Sequence, residues 1–222
     1  MSTHPTGLRN DLVEYLLSNF SGEDEFLFNL KIESEKIGIP QISISPEQVR
    51  FIQFIIKSIN AKFALEIGTL AGYSGIGIAR ALPFDGKLIT IEAINERANF
   101  ARQKFKEAGL DGKVEVVNSY GLKFLENFVP DSKIDFVFLD ADKQNYSNYF
   151  QIIDKHLRLG GVFSIDNAFG WGYIADHNPE RHAEDVQAIR EFTKMIKNNK
   201  NYLSTLAPVG DGLLLALKIS EL

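Results

Sequence analysis

From residue 63 to residue 166 the chain alternates short apolar runs with stretches of helical period, and nothing else in the sequence constrains its fold as tightly. The runs are Phe63–Ile67, Lys87–Glu92, Lys113–Val117, Ile134–Leu139 and Gly161–Asp166. Their near-continuous apolar character suits strands covered on both faces, which is the signature of a parallel sheet in an α/β protein. Helices are expected over about 73–82, 95–108 (Asn95 as N-cap, Gly109 as stop), 119–128, 144–158 and 180–198. The chain closes differently. Tyr202–Ala207 and Leu213–Ile219 are separated only by Pro208-Val209-Gly210-Asp211-Gly212, too short for a crossover helix, so a final antiparallel hairpin brings the strand count to seven.

Upstream of Lys62 the pattern is helical. Leu8, Leu12, Leu16 and Phe20 recur at helical spacing, Phe26, Leu27 and Leu30 mark a second segment, and Ser45-Pro46-Glu47-Gln48 reads as the start of a third helix, with Ser as N-cap and Gln three residues on. No internal repeat or Pro/Gly/Ser-rich linker interrupts the chain. One domain over 1–222 is therefore expected, with 1–60 as a helical cap or dimerisation region and 61–222 as the α/β core.

Composition removes several classes of function. Lys plus Arg number 24 against 29 Asp plus Glu, a net charge of −5, so no overall positive field gathers nucleic acid or an anionic membrane. No window approaches a bilayer-spanning apolar run, and Met1 to Asn10 lack a signal-peptide layout; a cytoplasmic protein is expected. Cysteine is absent, which excludes disulfides, thiolate metal sites and a thiol nucleophile. The four histidines include no i,i+4 pair, and Gly72-Tyr73-Ser74-Gly75 lacks the spacing of a hydrolase elbow. Any metal must rely on oxygen ligands or isolated histidines.

The first predicted strand runs through Leu65-Glu66-Ile67-Gly68-Thr69-Leu70-Ala71-Gly72 into a helix, the place where open α/β sheets bind nucleotides. The G-x-G-x-x-G of a dinucleotide cradle is missing. A strand carboxylate (Glu66), glycines allowing close backbone approach and a second acid (Glu92) ending the next strand suit a ligand with a ribose diol and a charged amino-acid tail. S-adenosylmethionine has that chemistry: Glu92 can accept from the diol, while Glu66 and Asp142 favour its cationic groups. Turn chemistry and solvated rim acids are the plainer alternative for each residue alone.

A second cluster forms at two other strand ends, Asp140-Ala141-Asp142-Lys143 and Asp166-Asn167. In a parallel sheet these carboxyl ends share a rim, which puts Asp140, Asp166 and Asn167 within reach of one point. Three oxygen donors suit a hard divalent cation, Mg²⁺ before Ca²⁺ or Mn²⁺. Each acid alone could be a loop or capping residue. Phe169, Trp171 and Tyr173, set among glycines after Asp166-Asn167, are candidates for an aromatic acceptor pocket, with simple packing as the alternative. The runs Phe51, Phe54 and Tyr146, Tyr149, Phe150 favour core or dimer packing over ligand binding.

These motifs, together with Gly160-Gly161 and Leu206 to Gly212, resemble the cation-dependent, S-adenosylmethionine-dependent O-methyltransferases, which include caffeoyl-CoA and catechol O-methyltransferases and small bacterial relatives. The match runs from about Ser45 to Ile219. It implies a seven-stranded Rossmann-like fold, usually dimeric, with Asp140, Asp166 and Asn167 as metal ligands. Cofactor contacts are implied for Glu66, Gly68, Thr69, Ser74, Glu92, Ala93, Asp140 and Asp142, for Tyr120 and Gly121 against the adenine, and for Ile44 near the methionine moiety. Lys143 matches the lysine assigned as general base in catechol O-methyltransferase, and it can alternatively stabilise a phenolate as a cation. Asp140 and Lys143 are thus the catalytic candidates. The segment Ala168 to His177 departs from the family's usual leucine-tryptophan-glycine sequence, which leaves the acceptor open: a catechol-like diol, an aromatic acyl-CoA or, as in some bacterial relatives, a tRNA hydroxyuridine. A non-catalytic S-adenosylmethionine-binding dimer is the reading from another class, and it would need no metal triad.

Overall fold

The computed structural model describes residues 7–221. Three helices come first: α1 (Asn10–Phe20), α2 (Glu25–Lys36) and α3 (Pro46–Ser58). The core then runs β1 (Phe63–Ile67), α4 (Tyr73–Ala81), β2 (Lys87–Glu92), α5 (Asn95–Glu107), β3 (Val114–Asn118), α6 (Gly121–Leu125), β4 (Ile134–Leu139), α7 (Tyr146–Ile153), β5 (Leu157–Ile165), α8 (Ala183–Asn198), β6 (Tyr202–Ala207) and β7 (Leu213–Lys218). The seven strands form one sheet in the order β3-β2-β1-β4-β5-β7-β6. β3 to β5 are parallel, and β7 lies antiparallel between β5 and β6, as the short final turn requires. The expected mixed α/β sheet with its closing hairpin is the one observed.

Period-two alternation sorts the strand residues between two cores. Ala64, Phe136 and Phe138 face a layer built from α2, α3, α4 and α5, with Leu27, Ile52, Ile76 and Phe105 fully buried. Leu65, Ile67, Val137 and Leu139 face α7 and α8 through Tyr146, Phe150, Ile153 and Phe192. Helix layers on both sides explain why these strands read as unbroken apolar runs.

Several boundaries move. The expected helix 144–158 is a 3-10 turn over Lys143–Asn145 followed by α7 and a second such turn, and strand β5 starts at Leu157, four residues before Gly161. Leu157 is fully buried and pairs with Ile134; Gly160, at φ 75°, sits in a bulge inside the strand and does not precede it. The expected helix 119–128 shrinks to α6, because Tyr120 is extended. α8 starts at Ala183 because His182 occupies the left-handed region. α5 is capped from Ile94, not Asn95, its N–H held by Glu92 Oε1 at 2.9 Å. α3 begins as expected: Gln48 Oε1 accepts from the Ser45 N–H at 3.0 Å. Among the described residues no helix is long and apolar enough to cross a membrane.

The sheet order reverses between β1 and β4, and their carboxyl ends touch most closely at Gly68. With φ at 103°, this residue lies so near β4 that an added Cβ would sit 2.0 Å from the Asp140 carbonyl oxygen. Gly68→Ala should therefore push β4 away and lower stability by at least about 2 kcal/mol. Urea unfolding measures this, and an unchanged midpoint would contradict so tight an approach.

Candidate active site

Three backbone hydrogen bonds continue the ladders past the strand ends: Gly68 N–H to Ile91 O (3.0 Å), Asp140 N–H to Ile67 O (2.9 Å) and Asp166 N–H to Leu139 O (3.0 Å). They keep the turns after β1, β4 and β5 in register around a crevice of about 900 Å³ at the switch point. Ile44, Gly68, Thr69, Ser74, Glu92, Ala93, Tyr120, Gly121, Asp140 and Asp142 all line it, as do Lys143, Asn167 and Trp171. Glu66, Asp166, Phe169 and Tyr173 do not.

Glu66 is completely buried beneath the first turn. Its side chain alternates with those of Leu65 and Ile67, so it points under α4 and accepts from Ser74 Oγ (2.6 Å) and Thr90 Oγ1 (2.6 Å). Glu66 thus presents no surface to the crevice and reaches it only through Ser74, where direct ligand contact was the expectation. With its proton given to Glu66, the Ser74 hydroxyl offers only lone pairs to the crevice. Burial pushes the Glu66 carboxyl up to about 7, despite the two hydroxyl donors, with Asp140 and Glu92 adding to the rise.

Glu92 is nearly buried at the end of β2, where its two oxygens accept from the Leu70 (2.8 Å) and Ile94 (2.9 Å) N–H groups. Each oxygen keeps lone-pair capacity beside the crevice, the arrangement a vicinal diol needs. Asp142 is oriented by Tyr149, whose hydroxyl donates to it at 2.5 Å, and by Asn145. Tyr149, expected as packing, is thus both buried against α6 and a wall of the crevice.

Asp140 and Asp166 follow the paired residues Leu139 and Ile165 and stand side by side. Asp166 is 5% exposed, and its carboxyl is pushed up to about 7 first by burial and then by the Asp140 charge. Gln48, 118 positions away, donates Nε2 to Asp166 Oδ1 at 2.6 Å; Lys143 Nζ lies 2.9 Å from Asp140 Oδ1. Burial works to lower the Lys143 pKa, but Tyr146 and Asp140 outweigh it and raise the group. Asp140 supplies that effect near neutrality, since burial keeps the Tyr146 phenol protonated. Paired with Asp140, Lys143 therefore favours its ammonium form, the second of the two roles expected of it.

Among the described residues no three His, Cys, Asp or Glu side chains form a metal-binding cluster. The expected donor set is different in kind: two crowded carboxylates and the amide of Asn167, whose Nδ2 is engaged by Asp211 at 3.2 Å. Hard oxygen donors carrying excess negative potential fit a divalent cation.

The outer wall comes from residues 167–182. Trp171 stacks on His182 with ring centroids 4.1 Å apart, and both line the crevice. Asn167, Trp171 and His182 all have φ near 55°, a region costing about 1–3 kcal/mol per residue and held only where surroundings impose it. Arg190 of α8 supplies part of that hold by donating to the carbonyls of Tyr173 (3.1 Å), Ile174 (3.0 Å) and Asp176. Phe169 and Tyr173 are not part of the crevice lining; Phe169 lies against Gly212. His182, Arg97 and Asp185 also line the crevice, and no motif or spacing in the sequence marked them. Gln48 was legible only as a capping residue.

A crevice at the switch point, acid-lined at its ribose corner and framed by strand-end carboxylates, defines a doubly wound α/β protein built to hold a nucleoside-like ligand. More particularly, the chain belongs to the O-methyltransferase family, whose sequence model matches residues 18–219. It is 36% identical to a catechol O-methyltransferase of Niastella koreensis over 92% of this chain and 96% of that protein. Identity to a caffeoyl-CoA O-methyltransferase of Petroselinum crispum is 30%, covering 98% and 95%. An O-methyltransferase of Streptomyces achromogenes involved in tomaymycin synthesis, solved in complex with SAM, superimposes with a TM-score of 0.85 at 31% identity, covering 95% and 97%.

The raised Glu66 carboxyl makes a pH prediction. Its folded pKa of about 7 exceeds the ordinary 4.5, so the folded state binds the extra proton and its contribution to stability is lost as pH rises from 4.5 through 7. Wild-type stability should fall relative to Glu66→Gln by up to about 3 kcal/mol between pH 5 and pH 8. Urea unfolding of both proteins at the two pH values checks the sign.

Proposed function

We propose that the protein transfers the methyl group of S-adenosylmethionine to a hydroxyl of an aromatic vicinal diol, free or as an acyl-CoA, with a divalent cation, Mg²⁺ first, at Asp140, Asp166 and Asn167. The observation that carries this reading is the pairing of Asp140 and Asp166 on adjacent strand ends beside the acid-lined crevice.

Each residue has a role in this reading. Glu92 accepts from the ribose diol, and the exposed ring of Tyr120 with the backbone of Gly121 borders the adenine. Ser74, fixed by Glu66, and Asp142, fixed by Tyr149, receive the cationic amino-acid end, with Ile44 as the apolar floor. When bound, the sulfonium supplies an electrophilic methyl and the cation supplies positive charge that lowers a phenol pKa from about 10. Lys143 would lie beside the reacting hydroxyl, where it would take the phenol proton as an amine or stabilise the phenolate as an ammonium after the proton leaves to water. Trp171 and His182 flank the acceptor ring and exclude water.

Catechol and labelled S-adenosylmethionine should give methylated product with Mg²⁺, none under EDTA and full recovery on adding Mg²⁺ back. Asp140→Ala should lower turnover by about 100-fold or more while its thermal unfolding stays cooperative. Turnover that persists under chelation would remove the cation from the reading.

The assembly we propose is a homodimer. Helix α1 buries none of its residues, and Tyr15, Phe20, Phe28 and Phe54 are each more than half exposed across α1, α2 and α3. A second copy of the chain would cover this apolar face. Light scattering should give twice the chain mass for the wild type and the single mass for Phe54→Asp.

A further inference from the structure

We infer that Asp211, in the turn between β6 and β7, is a positioning residue that couples the cation position to the aromatic wall of the crevice. This rests on the cation reading above. Asp211 Oδ2 accepts from two groups, Nδ2 of Asn167 at 3.2 Å and the backbone N–H of Trp171 at 2.8 Å. One carboxylate oxygen therefore joins a candidate metal ligand to the tryptophan that stacks on His182.

The chemistry fixes the direction of the amide. A carboxylate only accepts, so Asn167 must turn its nitrogen to Asp211 and leave its carbonyl oxygen, the atom a hard cation needs, as the free end. Without Asp211 the two ends of the amide become nearly equivalent. The turn is itself anchored. Ala168 N–H donates to Gly212 O at 2.9 Å and Phe169 N–H to Asp211 O at 2.8 Å, so the backbone after β5 is paired with the β6–β7 turn. Gly212, at φ 80°, allows that approach, because an added Cβ would meet Phe169 at 2.9 Å. Asn167 and Trp171 both hold left-handed backbone conformations, and Asp211 is the side chain that binds to both residues. Outer partners of this type orient a metal ligand and hold its atoms ready.

The test uses the full chain and needs no acceptor. Trp171 is the sole tryptophan, so intrinsic emission reports on the wall alone. Mg²⁺ titration of the wild type should shift Trp171 emission over the same concentration range in which Mg²⁺ displaces trace Mn²⁺ followed by electron paramagnetic resonance. Asp211→Ala, which removes the shared acceptor, should weaken Mn²⁺ about 10-fold or more and remove the Mg²⁺-dependent emission change. In an Asn167→Ala background the same substitution should weaken Mn²⁺ less than twofold further, because it acts through that amide. Failure of the wild type to bind Mn²⁺ would overturn the cation reading and this inference with it. Wild-type binding with Trp171 emission unmoved would overturn the inference alone, a result independent of whether the variant folds. So would Asp211→Ala binding Mn²⁺ within twofold of wild type, or its full effect persisting without Asn167.

Discussion

Parallel pairing at the carboxyl ends of β1, β4 and β5 is the constraint on which the rest depends. Leu139 opposite Ile165 and Ile67 opposite Leu139 leave the next residue of each strand at the same height. Gly68, Asp140 and Asp166 therefore arrive side by side, a close backbone approach next to two acids. A one-residue slip would turn these side chains to the other face of the sheet. Two helix layers fill the space on both faces and make such a slip prohibitive, so the apolar cores that appear unrelated to chemistry are what deliver the acids.

Around these acids lies a set of contacts whose common property is that they remove freedom. Ser74 donates a hydrogen bond to Glu66, Asp142 is held by Tyr149, Asp166 by Gln48 and Asn167 by Asp211. Ser74, Asp142 and Asn167 each keep one defined polar surface toward the crevice, while Asp166 lies buried beside it. The family match and the solved relative that binds SAM agree with a crevice organised in this way.

The sequence makes legible what depends on local pattern. Strand runs, the closing hairpin, the capping box at Ser45 and the glycine turn follow from periodicity and turn chemistry, and the pairing of Asp140 with Asp166 follows from parallel topology. What it hides depends on which way a side chain points or on distant partners. Glu66 sits in the expected strand, yet its alternate face carries it under α4 and out of the crevice lining. Gln48 reads as a cap because its second contact is made 118 residues later. The start of β5 is hidden because Gly160-Gly161 looks like a boundary and is a bulge within the strand. Phe169 and Tyr173 share the aromatic character of Trp171, and only the backbone path separates the wall from its support.

Arg190 grips the segment beyond Trp171 entirely through carbonyl oxygens, which every amino acid possesses. The clamp is thus indifferent to the side chains it restrains. Side chains along 173–176 can therefore be exchanged while the path of the backbone, and with it the placing of Trp171 and His182 at the crevice, persists.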